Sequence, residues 1–143
     1  MSHTTRISGI EITNVAALKL AVEDLIKDGV PCSLLENSTP RAYSENQAGM
    51  GLADYVIKLN ASPYDVGLYK DGNKFEPRTD FFMGHVAKEL GVKNPKTDQE
   101  RLGRLYQFYS VNATEQSLRV KGISSRRLVK DSGVIQLRAL IAA

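Results

Sequence analysis

The chain is poor in the residues that build disulfides, metal centres and membrane spans. Its 143 residues include one cysteine, two histidines and no tryptophan. A single cysteine excludes an internal disulfide, and the position of Cys32 after Pro31 in an apolar run predicts a buried thiol in a reducing cytosol. No apolar run approaches the roughly 18 residues that span a bilayer, and the first residues lack the basic start and apolar stretch of a signal peptide. We therefore expect a cytoplasmic protein with no membrane partner.

Metal and cofactor chemistry has little support in the sequence. His3 and His85 are the only histidines, and no metal-ligand spacing joins them to the cysteine. His85 falls on a predicted helix with core-like neighbours, which favours a hydrogen-bonded structural histidine. The glycines form neither a P-loop nor a dinucleotide-binding fingerprint. The sequence predicts no metal site and no cofactor.

Paired carboxylates are the only catalytic arrangement that the sequence offers. Asp54 and Asp65 fall on neighbouring strands of a predicted hairpin, with Asp80 nearby, and could serve as acid and base. The other interpretation is that they pair with Lys58 and Lys70 on the sheet surface. Because the usual combination of nucleophile, base and orienting group is missing from the sequence, we predict no catalytic residue and a protein that is not an enzyme.

Positive charge is concentrated in the last third of the chain. The net charge of +3 divides into −3 for residues 1–100 and +6 for residues 101–143, which contain eight basic side chains and two acidic ones. A charge asymmetry of this kind favours an anionic partner.

Periodicity and turn signals predict an α+β fold in one domain, residues 1–143, with a largely antiparallel sheet. After a first strand at 6–12, Asn14 caps a helix that ends at Gly29. A strand at 32–36 is followed by a long loop at 37–51. Three further strands at 53–60, 64–70 and 74–79 form hairpins, and Pro77 confines the last of them to an edge of the sheet.

The C-terminal part is predicted to hold a pair of helices followed by a closing hairpin. Asp80 can cap a short helix that continues to Leu90. Thr97 and Glu100 have the spacing of a capping box, and the helix behind them continues to Gly122. Strands at 123–129 and 134–141 then pair across a four-residue turn.

Short phrases along the chain resemble a known family. They lie at residues 1–4, 18–25, 41–43, 53–57, 64–67, 80–84 and 109–114. Together they are similar to a family of small uncharacterised proteins known as a hypothetical chloroplast reading frame, with plastid, cyanobacterial and phage members. The chain departs from that family near Phe81 and Phe82, where the family usually shows paired tryptophans, and in the loop at 37–51, so it resembles a divergent member. The resemblance implies a compact domain, leaves activity open, and permits a phage regulatory or DNA-handling role in the host cytoplasm.

The positively charged region combines cations with aromatic rings. Single-stranded nucleic acid is bound by cations along its phosphates and by rings that stack on its bases. Phe108 lies off the apolar stripe of Leu102, Leu105 and Tyr109, so we predict that it is exposed. The alternative is that the rings fill the core and the arginines solvate a surface. The predicted nucleic-acid-binding residues are Arg41, Tyr43, Arg101, Arg104, Phe108, Arg119, Lys121, Arg126, Arg127, Lys130 and Arg138.

These features favour a non-enzymatic protein that binds single-stranded DNA, with RNA as a second candidate ligand. A phage transcription or replication accessory factor fits this interpretation, with an RNA polymerase or a replication protein as its protein partner. We also expect a homo-oligomer, because strand-binding proteins gain affinity by lining up several sites. The alternative is a protein-interaction adaptor or host-factor modulator that binds no nucleic acid.

Overall fold

Seven strands and five α-helices make up the part of the chain that the structure describes. The computed structural model describes residues 4–6 by their backbone and residues 11–140 in full. In chain order the elements are β1 (Thr4–Arg6), α1 (Val15–Lys27), β2 (Cys32–Ser38), α2 (Ser44–Met50), β3 (Ala53–Leu59), β4 (Val66–Asp71), β5 (Lys74–Asp80), a 3₁₀ turn (Phe82–Gly84), α3 (His85–Glu89), α4 (Asp98–Arg101), α5 (Gly103–Val120), β6 (Ser124–Val129) and β7 (Ile135–Leu140).

The predicted α+β class is confirmed. Strands β1 to β5 form one antiparallel sheet in the order β1-β5-β4-β3-β2, and β6 and β7 form a separate hairpin. Helix α1 follows β1 and precedes the rest of the sheet, and α5 precedes the closing hairpin. The predicted strand at 6–12 is described only at its two ends: Arg6 closes β1, Ile12 makes an isolated bridge to Phe75, and residues 7–10 lie outside the described residues.

The hydrophobic core lies between one face of the sheet and helices α1 and α5. Ile57 and Leu68 on the sheet, Leu18 on α1 and Leu105 on α5 are all buried in one cluster. Burial of such side chains is the main favourable term in folding. The core therefore fixes α5, and everything that packs on α5, relative to the sheet.

Polar contacts hold α1 and α5 antiparallel to each other. Asn14 caps α1 as predicted, since its side chain accepts a hydrogen bond from the Ala17 N–H at 3.0 Å. The Tyr109 hydroxyl of α5 accepts hydrogen bonds from the backbone N–H groups of Thr13 and Asn14 at 2.9 and 3.0 Å. These backbone groups at the start of α1 have no partner within the helix, so α5 supplies one.

The predicted loop at 37–51 is a strand end and a helix. Strand β2 continues to Ser38, and α2 occupies Ser44–Met50. The sequence of helix α2 has no apolar periodicity, and Met50 is its single buried residue. Non-local hydrogen bonds hold this segment instead: the buried Asp80 carboxylate accepts from the Tyr43 N–H at 2.9 Å and from the Asn46 side chain at 3.0 Å.

Two further local predictions need correction. Strand β5 is not at an edge, because β1 pairs with residues 78–80; the described β1 ladder stops at Arg78, one residue short of Pro77. The helix predicted to start behind Asp80 is broken, since Met83 and Gly84 adopt φ of +58° and +68°. The helix behind the Thr97 capping box is confirmed, with a break at Leu102 between α4 and α5.

We expect alanine to have opposite effects at Gly67, on β4, and at Gly49, in α2. A Cβ at Gly67 would lie 2.8 Å from both Pro40 Cγ and Tyr69 Cε1, whereas a Cβ at Gly49 meets nothing within 4 Å. Gly67→Ala should lower the free energy of unfolding by about 1–3 kcal/mol through overpacking. Gly49→Ala should raise it by about 0.5–1 kcal/mol, because Gly49 lies inside α2. Urea unfolding of both variants tests this, and equal stabilities would contradict the packing of Pro40 on the sheet.

Candidate nucleic-acid interface

The β6–β7 hairpin lies along α5 and is attached to it by one face. The Gln107 side chain of α5 donates to the Gly133 carbonyl at 3.2 Å and accepts from the Ile135 N–H at 3.1 Å. These two bonds hold the turn of the hairpin near the start of the helix. Side chains alternate between the faces of a strand, so the other face points away from α5.

Arg127 attaches the remainder of the hairpin to both long helices. Its guanidinium donates to the two carboxylate oxygens of Glu115 at 2.7 and 3.1 Å, to Asp24 at 3.0 Å and to the Asn112 side-chain oxygen at 3.1 Å. The hydrogen bond with Glu115 raises the pKa of Arg127, and that with Asp24 adds to the effect. Since all its charge partners belong to the fold, Arg127 has a structural role.

Arg41 also has a structural role. It forms a bidentate pair with the buried Asp65 carboxylate, at 2.9 and 2.7 Å, and donates to the carbonyls of Leu59 and Ser62. The hydrogen bond with Asp65 raises the pKa of Arg41. Arg41 thus joins the segment before α2 to the connection between β3 and β4, and none of these partners lies on α5 or the hairpin.

Arg101 and Arg104 each have a carboxylate partner near the start of α5. Arg101 donates to Asp98 at 2.7 Å, three residues earlier. Arg104 pairs with Asp28 after the end of α1 and donates to the Leu90 carbonyl at 3.1 Å. Arg104 therefore joins three segments of the fold, whereas Arg101 makes only a local ion pair.

The prediction that Phe108 is exposed is wrong. Its relative exposure is 7%, and it belongs to the core cluster. The apolar stripe identified in the sequence would serve a helix that packs on one side only, whereas α5 packs against α1 and also beneath the hairpin. Phe108 consequently offers no stacking surface.

Tyr43 lies apart from the hairpin. Its ring packs against Phe82 with centroids 4.6 Å apart, and it is half-buried against the core. Tyr43 thus packs against the fold, as the alternative to base stacking expects. Neither ring predicted to stack on bases is therefore free on the hairpin side.

Five of the predicted cations remain unpaired. Among residues 11–140 they make no ion pair and no side-chain hydrogen bond, and all are exposed. We call them the cationic strip: Arg119, Lys121, Arg126, Lys130 and Arg138. They run from the end of α5 along the hairpin to its turn, and each six-residue strand of the hairpin spans about 20 Å.

Arg126 and Arg138 are directly opposite each other in the hairpin ladder. Their neighbours in sequence, Arg127 and Leu137, form the pair next to them, and Arg127 faces α5. Arg126 and Arg138 therefore lie on the outer face, with Ser124 and Leu140 as the next pair on that side. Like charges directly opposite each other destabilise a sheet, and an anion bound between them would remove that cost.

Sequence reasoning missed two cations, Lys88 on α3 and Lys93 in the turn that follows it. Both are exposed, and within residues 11–140 neither has an ion-pair partner. They line a cleft together with Arg101. They were overlooked because residues 1–100 are acidic overall, and the turn signal of Asn94-Pro95 does not reveal which cations converge there.

The carboxylates considered for catalysis serve as hydrogen-bond acceptors. Asp54 accepts from the Lys70 N–H at 2.7 Å, and Asp65 is bound by Arg41. Burial raises the pKa of the Cys32 thiol to about 11, which keeps it protonated at neutral pH. In the described part of the chain, no group of three or more His, Cys, Asp or Glu side chains is placed to hold a metal ion. Over the same residues, no helix combines the length and apolar character needed to cross a membrane.

Comparisons of the chain with protein-family models, curated proteins and solved structures give no match. The resemblance to the chloroplast reading-frame family therefore stays a prediction.

Proposed function

We propose that this protein is a non-enzymatic binder of single-stranded nucleic acid that contacts phosphates through the cationic strip. The observation that carries the proposal is the placement of Arg126 opposite Arg138 on the outer face, without a carboxylate partner in residues 11–140. Arg127, one residue away, is fully paired. The chain thus neutralises the arginine on the inner face and leaves the two on the outer face available to an anion.

The absence of free rings changes the expected mode of binding. The three aromatic residues of α5, Tyr106, Phe108 and Tyr109, are buried. Affinity should consequently come from phosphates and tolerate changes of base sequence, because phosphate contacts carry no sequence information. Recognition of duplex DNA by a helix inserted in its groove has little support. Helix α5 packs between α1 and the hairpin, and the described helices other than α1 and α5 have only four to seven residues. An accessory role in transcription or replication, and self-association along a strand, remain part of the proposal.

Salt dependence tests the proposed contacts. Affinity for fluorescent oligothymidine, followed by anisotropy, should fall with salt at a log–log slope of about −0.7 for each neutralised phosphate. Arg126→Gln/Arg138→Gln should weaken binding and reduce the magnitude of that slope by about 1.4, because two phosphate contacts are lost. Parallel titrations with duplex DNA and with RNA of the same length establish which nucleic acid the protein prefers.

A matched double variant controls for net charge. Lys19→Gln/Lys58→Gln removes two exposed cations on α1 and β3, so affinity and slope should stay near those of the parent. Equal losses in the two double variants would show that net charge alone acts. An affinity that does not change with salt concentration would contradict phosphate contacts.

The alternative of a protein-interaction adaptor is favoured by apolar side chains around the hairpin. Val120, Val129 and Leu140 are exposed by 88, 71 and 55%. Exposed apolar groups beside an open hairpin suit a protein partner. If the anisotropy titration shows no binding to any of the three nucleic acids at low salt, this function replaces the first.

A further inference from the structure

Two clefts flank the turn at residues 91–95. The larger, of about 890 Å³, lies between this turn, the start of α5 and the turn of the hairpin. Its Arg104 is bound to Asp28, and the Glu100 carboxylate accepts the Lys96 and Thr97 N–H groups at the start of α4. The lining of this cleft holds two acidic and two basic residues, and one of the basic residues, Arg104, is already paired with Asp28. The cleft therefore has no net positive charge with which to attract an anion.

The smaller cleft has a different electrostatic character. Its volume is about 450 Å³, within the range of small-molecule sites, and it lies between α3, the same turn and α4. Three of its lining residues are cations, Lys88, Lys93 and Arg101, and no lining residue is acidic. Its remaining walls are apolar side chains or glycine: Phe81, Gly84, Ala87, Gly91, Val92 and Pro95.

The three cations differ in the partners that they already have within the fold. Lys88 and Lys93 have no ion-pair partner among residues 11–140. Arg101 donates through one terminal nitrogen to Asp98, and its guanidinium carbon lies 5.1 Å from the centroid of the Phe81 ring. A guanidinium has five N–H donors, so Arg101 keeps donors for a second anion. The Phe81 ring positions that guanidinium at the cleft, since arginine is attracted to the face of an aromatic ring.

We propose that this cleft binds a small organic phosphate monoester, with the phosphate on Lys88, Lys93 and Arg101 and an apolar or ring portion against Val92 and Pro95. Three cations around one cleft match a doubly charged group better than a single carboxylate. The apolar walls and the volume select an ester over free phosphate. This ligand site is separate from the cationic strip, and it does not depend on nucleic-acid binding.

Calorimetric titration with adenosine 5′-monophosphate, adenosine and inorganic phosphate tests the site. The monophosphate should bind more tightly than either of the other two probes, because each of them supplies only one half of the contacts. Lys88→Gln/Lys93→Gln should weaken the monophosphate at least tenfold, since two charge-assisted contacts disappear. Both lysines are exposed, so this variant should keep the melting temperature of the parent.

Two further variants keep the result specific. Lys19→Gln/Lys58→Gln should bind the monophosphate as the parent does, and so should Arg126→Gln/Arg138→Gln. No heat with the monophosphate at millimolar concentration would overturn the proposal, as would unchanged affinity in Lys88→Gln/Lys93→Gln. A loss confined to the hairpin variant would also overturn it and would assign the ligand to the cationic strip.

Discussion

Arg41→Ala should lower the free energy of unfolding by about 2–3 kcal/mol, less than the roughly 3–5 kcal/mol for one partner of a fully buried ion pair, because the Arg41 side chain is itself 40% exposed. The Asp65 side chain is only 4% exposed, and it would lose the guanidinium that binds both of its oxygens. The carbonyls of Leu59 and Ser62 would lose a donor as well. Urea unfolding followed by circular dichroism measures the loss.

Two controls separate charge from geometry at this position. Arg41→Lys keeps the charge but cannot bind both carboxylate oxygens in the same fork, so its stability should fall between those of the parent and Arg41→Ala. Arg126→Ala removes an exposed arginine, and we expect a change within about 0.5 kcal/mol. Equal stability of Arg41→Ala and Arg126→Ala would contradict a structural role for Arg41.

Phe108→Ala should destabilise the protein by about 3–5 kcal/mol, because it truncates a buried ring in a packed core. Truncation of an exposed stacking residue would instead leave stability nearly unchanged. Val120→Ala is the matched control on the same helix, since that side chain is 88% exposed. If both variants melt with the parent, Phe108 is not in the core and stacking on bases becomes plausible again.

Local signals in the sequence predicted much of the fold. The Asn14 cap and Gly29 bound α1, and the capping box of Thr97 and Glu100 starts α4, because each signal acts within a few residues. The Asp71-Gly72 turn and the closing hairpin were predictable for the same reason.

Features set by distant contacts could not be predicted in this way. Helix α2 has a single buried residue, and its position depends on Asp80, which lies 34 residues beyond Asn46. Phe108 is buried because the hairpin covers a second side of α5, which the spacing of apolar residues along α5 does not reveal. The placement of β1 beside β5, which removes β5 from the edge, is likewise a contact between distant segments.

The candidate site illustrates the same limit. Composition identified a cationic region but could not separate Arg127 from Arg126, which are adjacent in sequence. Strand alternation places them on opposite faces, and the partners of Arg127 come from Asp24, 103 residues away, and from Glu115. Only the three-dimensional arrangement shows which cations are already neutralised.

Amide NMR spectra of the protein titrated with oligothymidine locate a bound strand and so show whether it lies on the hairpin. We expect the largest shifts on residues 119–140, with those of the outer-face residues Arg126 and Arg138 among them, and no shifts on residues 41–50. The Arg126→Gln/Arg138→Gln variant should lose these shifts at the same ligand concentration. Shifts centred on α2 or on the sheet, or unchanged spectra with an excess of strand at low salt, would contradict binding at the hairpin.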